Sequence, residues 1–82
     1  MFTNLMSHPG APNDEYLRIA AQFVRAAREA AGKSQRQLAA DTGSSQARIN
    51  QIENMRDVHG PSVVLLARIA QACGGRLKLT VE

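Results

Sequence analysis

Apolar positions recur at helical spacing along most of this chain. Between Asp14 and Ala31, Leu17, Ala20, Val24, Ala27 and Ala31 fall on one stripe at 100° per residue. Arg18, Gln22, Arg25 and Glu29 fall opposite. Tyr16, Ile19, Phe23 and Ala30 make a second apolar stripe beside the first, more than a single helix pair needs, so a second copy of the chain is expected against it. Asn13 or Asp14 is the expected cap, and Gly32 the stop. A second helix is predicted over 35–42: Ser34 and Gln37 have capping-box spacing, Leu38 and Ala39 point inward, and Gly43 ends it. Ser45 then caps a third helix running to about Asn54, with Ile49 and Ile52 as its large apolar residues. After a charged loop over 55–60, Pro61 and Ser62 open a fourth helix, whose inner stripe is Leu66, Ile69, Ala70 and Cys73. Gly74 and Gly75 close it.

The two ends of the chain have different patterns. Residues 1–12 contain Gly and Pro without periodicity and read as a flexible tail. Leu77, Leu79 and Val81 alternate with Arg76, Lys78 and Thr80, the period of a half-buried strand. A lone strand leaves its backbone donors and acceptors unpaired, and no other segment has strand period. The expected partner is the same strand of a second chain, antiparallel about a two-fold axis. The division is therefore a tail over 1–12, a helical domain over 13–75 and a dimerisation strand over 76–82. The fold class is all-α, a bundle of four to five helices with a short C-terminal β-strand.

Composition narrows the function. Eighty-two residues make one small domain, and 4% aromatic residues without Trp favour closely packed small helices over a β-sandwich. Cys73 is the only cysteine, so no internal disulfide exists and no zinc spacing is present. As a residue of the fourth helix's inner stripe, it reads as a buried structural thiol. The net charge of +3 is compatible with nucleic acid. No apolar run approaches the roughly 18 residues that span a bilayer, and the basic-then-apolar order of a signal peptide is missing, so a cytoplasmic setting without membrane contact is expected. His8 and His59 have no nucleophile at a fixed offset, and no Gly-rich loop opens a helix, so neither an enzyme nor a cofactor is expected.

What remains is helix, glycine turn, helix at 35–54, the arrangement that reads DNA in the major groove. With Ile49 and Ile52 inward, Ala47, Asn50, Gln51 and Asn54 point away, and Gln46 sits laterally at the first turn. Asn and Gln amides pair bidentately with adenine, and an alanine methyl meets that of thymine. Solvated helix faces usually carry Glu and Lys, whereas this one carries amides and a methyl. Arg36, Arg48, Arg56 and His59 are candidate phosphate ligands.

The segments VRAAREAAGKSQRQLA, TGSSQARINQIE and GPSVVLLARIAQACG over residues 24–79 resemble the XRE, or Cro/CI-type, helix-turn-helix family. The resemblance implies a lambda-repressor-like bundle that binds a palindromic operator in double-stranded DNA as a homodimer. It assigns base reading to Gln46, Ala47, Asn50 and Gln51. It assigns to Gln35 contact with the DNA backbone and with neighbouring recognition residues, and to Asn54 a phosphate contact; Arg36, Ser45, Arg48 and Arg56 complete the set of expected phosphate ligands. Arg28 and Glu53 match a pair tying the first helix to the third. The tail GGRLKLTVE is similar to the end of antitoxins of the HigA and HipB kind, some of which pair such a strand (here Leu77, Leu79 and Val81) across a dimer. The expected function is therefore a transcriptional repressor that is the antitoxin of a type II toxin–antitoxin pair, blocking a toxin protein. The alternative is a stand-alone or phage-like regulator. Three positions depart from the pattern: Ser44 after the turn glycine, Met55 where glycine is frequent, and Lys33 before the Ser34 cap. Met55 or Asn54 is thus expected to strain in ending the third helix.

Overall fold

Four helices account for most of residues 12–80, the part of the chain that the computed structural model describes. They are α1 (Pro12–Ala30), α2 (Gln35–Thr42), α3 (Gln46–Glu53) and α4 (Val63–Ala72). α1 and α2 each pack against both α3 and α4. Val24, Leu38, Ile49, Ile52, Leu66 and Ile69 meet in the middle, joined by the small Ala20 and Ala39. With no aromatic residue at the centre, the helices close on branched aliphatics. Truncating one such side chain costs about 2–5 kcal/mol in a packed core.

The ends of the helices are set locally. α1 begins at Pro12 instead of being capped by Asn13 or Asp14. Proline suits a first helical position, where its missing N–H has no partner to lose. Residues 1–11 of the expected tail lie outside the described residues. α4 also starts later than expected. Ser62 is its N-cap, its Oγ accepting from the Leu65 N–H at 3.0 Å. Pro61 precedes the cap and is buried, with its carbonyl taking a hydrogen bond from the Tyr16 hydroxyl. At Gly60, φ is +77°, and a Cβ there would come within 2.7 Å of the Tyr16 ring.

One further expectation is corrected, at Cys73, and the expected C-terminal strand is not formed by the single chain. Ile19 is 49% exposed, so within one chain the second stripe on α1 is only partly covered, by Tyr16 and Phe23 packing against the core, and the rest of it stays open. Cys73 caps the C-terminus of α4 and is half-buried, packed at the edge of the core instead of sealed within it. Burial raises its thiol pKa above the ordinary value. Residues 76–80 form no strand, and no strand occurs among the described residues. Period-2 alternation makes a strand only when a ladder partner is present. Leu77 folds back against the core instead, while Leu79 is 71% exposed; Val81 lies outside the described residues.

Candidate nucleic-acid interface

The unit α2–turn–α3 is built from caps. The Ser34 Oγ accepts from the Gln37 N–H at 3.0 Å, and the Gln37 Oε1 accepts from the Ser34 N–H at 2.8 Å, so the expected capping box is complete. Gly43 ends α2 in the left-handed region, at φ +71°, and the Ser44 N–H then bonds back to the Ala39 carbonyl at 2.9 Å. That return bond closes the turn even with the polar Ser44 in it. The Ser45 Oγ accepts from the Arg48 N–H at 3.0 Å and starts α3. Met55, just beyond α3, sits at φ +59°, the left-handed strain expected of a non-glycine residue there.

Three residues of α3 face inward: Ile49, Ile52 and Glu53. Gln46, Ala47 and Gln51 are exposed, as is Asn54 at the C-cap, whose Nδ2 donates to the Asn50 carbonyl at 2.9 Å. Asn50 and Arg48 are half-buried on opposite flanks. Arg36 on α2 and Arg56 after α3 are exposed and make no ion pair among the described residues. Ser45 is exposed and Gln35 half-buried. The outer face of the unit is thus amide, methyl and guanidinium, with no carboxylate on α3 except the buried Glu53.

Glu53 organises the layer beneath that face. Its side chain has no solvent exposure. Arg28 grips it with Nε at 2.7 Å and NH2 at 3.0 Å, and the Arg28 NH1 also holds the Lys33 carbonyl at 3.0 Å. Arg25 approaches at 3.5 Å. Burial by itself would push the Glu53 carboxyl up, but the Arg28 hydrogen bonds, the Gln35 amide and the two arginine charges outweigh it and hold it below the usual carboxylate range. The hydrogen bond to Glu53 in turn raises the Arg28 pKa against the cost of its own burial.

The chain of bonds continues outward. A carboxylate only accepts, so Gln35 must turn its NH2 toward Glu53, and does so at 3.2 Å. Its carbonyl oxygen then faces Asn50, which must donate, and does so at 3.3 Å. The Asn50 amide is left with its carbonyl oxygen and one N–H unspent, the acceptor–donor pair that fits the major-groove edge of adenine. Gln35, for which the family resemblance implies contact with the DNA backbone and with neighbouring recognition residues, meets such a neighbour on α3 in Asn50.

Helical spacing alone does not place Arg48. Its NH2 lies 3.1 Å from the Asp57 carboxylate, in the loop after α3. Nothing in the sequence marks Asp57, since a loop carboxylate declares its partner only in three dimensions. Among the described residues no group of His, Cys, Asp and Glu has the makings of a metal site, and no helix is long and apolar enough to cross a membrane.

Among curated proteins and among solved structures, none matches this chain. The helix-turn-helix family, by contrast, matches residues 24–79, from the middle of α1 through Leu79. That span holds the capped turn, the amide face of α3 and the Arg28–Glu53 brace, and by it the chain belongs to the XRE-type helix-turn-helix family of DNA-binding regulators.

Proposed function

We propose that the protein is a dimeric transcriptional repressor that occupies a palindromic operator and blocks transcription sterically. Each subunit lays α3 in the major groove, with Gln46, Ala47, Asn50 and Gln51 on base edges. Gln35, Arg36, Ser45, Arg48, Asn54 and Arg56 lie toward the phosphates. The two-fold axis spaces the half-sites about one helical turn apart. One observation carries this reading: Ile49 and Ile52 are sealed in the core, so the amide-and-methyl face of the same helix is left to solvent.

The C-terminal residues Leu77, Leu79 and Val81 supply the dimer contact once a second chain provides the ladder partner. The exposure of Leu79 supports that assignment, whereas Leu77 packs on its own core in the single chain. Apolar surface away from α3 supports the antitoxin role over a stand-alone regulator. Val63 and Val64 are 53% and 60% exposed at the start of α4, where a toxin protein would be covered by neither DNA nor the dimer strand.

Selection of bound sequences from random duplexes tests the central reading. A palindromic consensus is expected. Gln46→Ala should then lose about 1–3 kcal/mol on that consensus and relax one base position, while Arg56→Ala weakens every sequence alike. Equal losses on consensus and random duplex for Gln46→Ala would overturn base reading by α3. Removing 76–82 should give a monomer by sedimentation; an unchanged dimer mass refutes strand pairing. Co-purification with the product of the adjacent open reading frame, lost in Val64→Asp, tests the antitoxin role.

A further inference from the structure

Resting on that DNA-binding reading, we infer that Asp57 is a positioning residue for phosphate contact: it holds Arg48 on the flank of α3 with its remaining guanidinium donors turned to the DNA backbone. The Arg48 NH2 lies 3.1 Å from the Asp57 carboxylate. The Arg48 Nε and the Asp57 Oδ2 are both buried without a hydrogen-bond partner among the described residues, so the contact is an ion pair, and the Arg48 side chain as a whole is 40% exposed. A guanidinium carries five donors in a rigid fork. This one is held by charge at Asp57 with its Nε enclosed, and the exposed part of the fork, beside the exposed Ala47 and Gln51, is what remains for an acceptor. The acceptor that suits the open end is a phosphate oxygen, which takes charge-assisted bonds from a planar fork.

Asp57 is itself held. Its side chain is 13% exposed, and its charge helps raise the pKa of Tyr16, after burial, which places it against α1. The Tyr16 hydroxyl donates to the Pro61 carbonyl, and the Asn13 Nδ2 reaches the Val58 carbonyl at 3.5 Å. The loop that carries Asp57 is therefore tied to α1 at two points. A carboxylate fixed in this way orders a long cationic side chain before DNA arrives. It removes part of the entropy cost that an unsupported surface arginine meets on binding. Asp57 is also too enclosed for a phosphate to replace it, so the nucleic acid approaches the guanidinium from its open side and an Asp57–Arg48–phosphate relay results.

The experiment measures affinity for the selected duplex against salt, by fluorescence anisotropy. Wild type, Arg48→Ala, Asp57→Asn and the double variant are compared, each well below its own thermal midpoint. Arg48→Ala should reduce the log–log salt slope by about 1 per subunit, because one phosphate is no longer neutralised. Asp57→Asn should weaken binding about fivefold with the slope kept, because the arginine still reaches phosphate but must be ordered on binding. The double variant should bind no worse than Arg48→Ala, and the ratio of selected to random duplex should hold throughout, since phosphates carry no sequence. Tighter binding by Asp57→Asn would mean that Asp57 competes with phosphate for Arg48, and would overturn the inference. So would a fivefold loss added on top of Arg48→Ala, which a purely structural role of Asp57 in the loop would give. Failure of wild type to bind any duplex at low salt sinks the DNA-binding reading itself, a result distinct from either.

Discussion

Replacing Arg28 by Met removes the chief partner of Glu53 and should both destabilise the fold and reverse part of its pH dependence. Glu53 loses the bonds at 2.7 and 3.0 Å, and its side chain, with no exposure, cannot turn to water instead. Breaking a buried pair from one side costs about 3–5 kcal/mol. The Gln35 amide at 3.2 Å and Arg25 at 3.5 Å remain, which puts the expectation near the lower end. A domain of this size has about 4–12 kcal/mol in all. A loss of ~3 kcal/mol lowers the midpoint of thermal unfolding by about 12–24 °C.

The pH profile gives the sharper test of this brace. In the native protein the Glu53 carboxyl is held below its unfolded value, so its contribution is complete above the ordinary value of 4.5 and is lost as pH falls through the lower folded value. In Arg28→Met the largest influence left is burial, which raises the carboxyl. The folded state then binds the proton more tightly than the unfolded one, and stability falls as pH rises from the ordinary value of 4.5 through the raised one. Urea unfolding followed by circular dichroism at about pH 5 and about pH 7 should thus find Arg28→Met more stable at the lower pH, and Glu53→Gln without either trend. A loss under about 1 kcal/mol for Arg28→Met, or a pH profile parallel to that of wild type, would refute the argument that Arg28 neutralises a sealed carboxylate.

Met55→Gly should be more stable than Met55→Ala by about 1 kcal/mol, because both lack the side chain and only alanine keeps the left-handed strain at φ +59°; the opposite order in thermal unfolding would contradict the strain. Gly60→Ala should cost about 2 kcal/mol or more, since strain at φ +77° adds to a Cβ placed 2.7 Å from a Tyr16 ring that its hydroxyl bond to Pro61 keeps in place; chemical denaturation measures it, and a neutral result would mean that the ring moves freely. Ser34→Ala should lose about 1 kcal/mol by removing one half of the capping box, with Ser34→Gly losing less; equal losses would deny the cap its role.

What the sequence discloses follows the range of the interaction. α2 runs over the predicted 35–42 because both of its ends are decided within a few residues, by the Ser34–Gln37 box and by Gly43. The inward turn of Ile49 and Ile52 needs only helical spacing. The Arg28–Glu53 brace is legible from the borders of two apolar stripes together with the family resemblance. Pairings that cross the fold are not. Nothing near Asp57 in the chain indicates Arg48, nine residues back on another element. Nothing near Tyr16 indicates the Pro61 carbonyl. Cys73 follows the apolar period of α4 but stands where the helix ends, so it reaches the core only in part. The alternation of 76–81 is a real period whose meaning depends on a partner strand, and a single chain folds the first of its apolar residues, Leu77, onto its own core.

The proposed reading face and the stability of the domain therefore share one set of bonds. An asparagine at the surface would ordinarily turn its amide either way, and the two orientations present opposite patterns to a base pair. Here Glu53 removes that freedom from below. It cannot donate, so Gln35 is turned, and Gln35 in turn fixes Asn50. The direction of the whole chain originates in the negative charge that Arg28 keeps ionised in the interior. A neutral residue at 53 of the same shape would preserve the packing and leave the amides to choose. A buried ion pair contributes little net stability compared with well-packed apolar residues. What it contributes here is polarity, carried through two amides to Asn50, whose orientation would decide which base edge the proposed reading face fits.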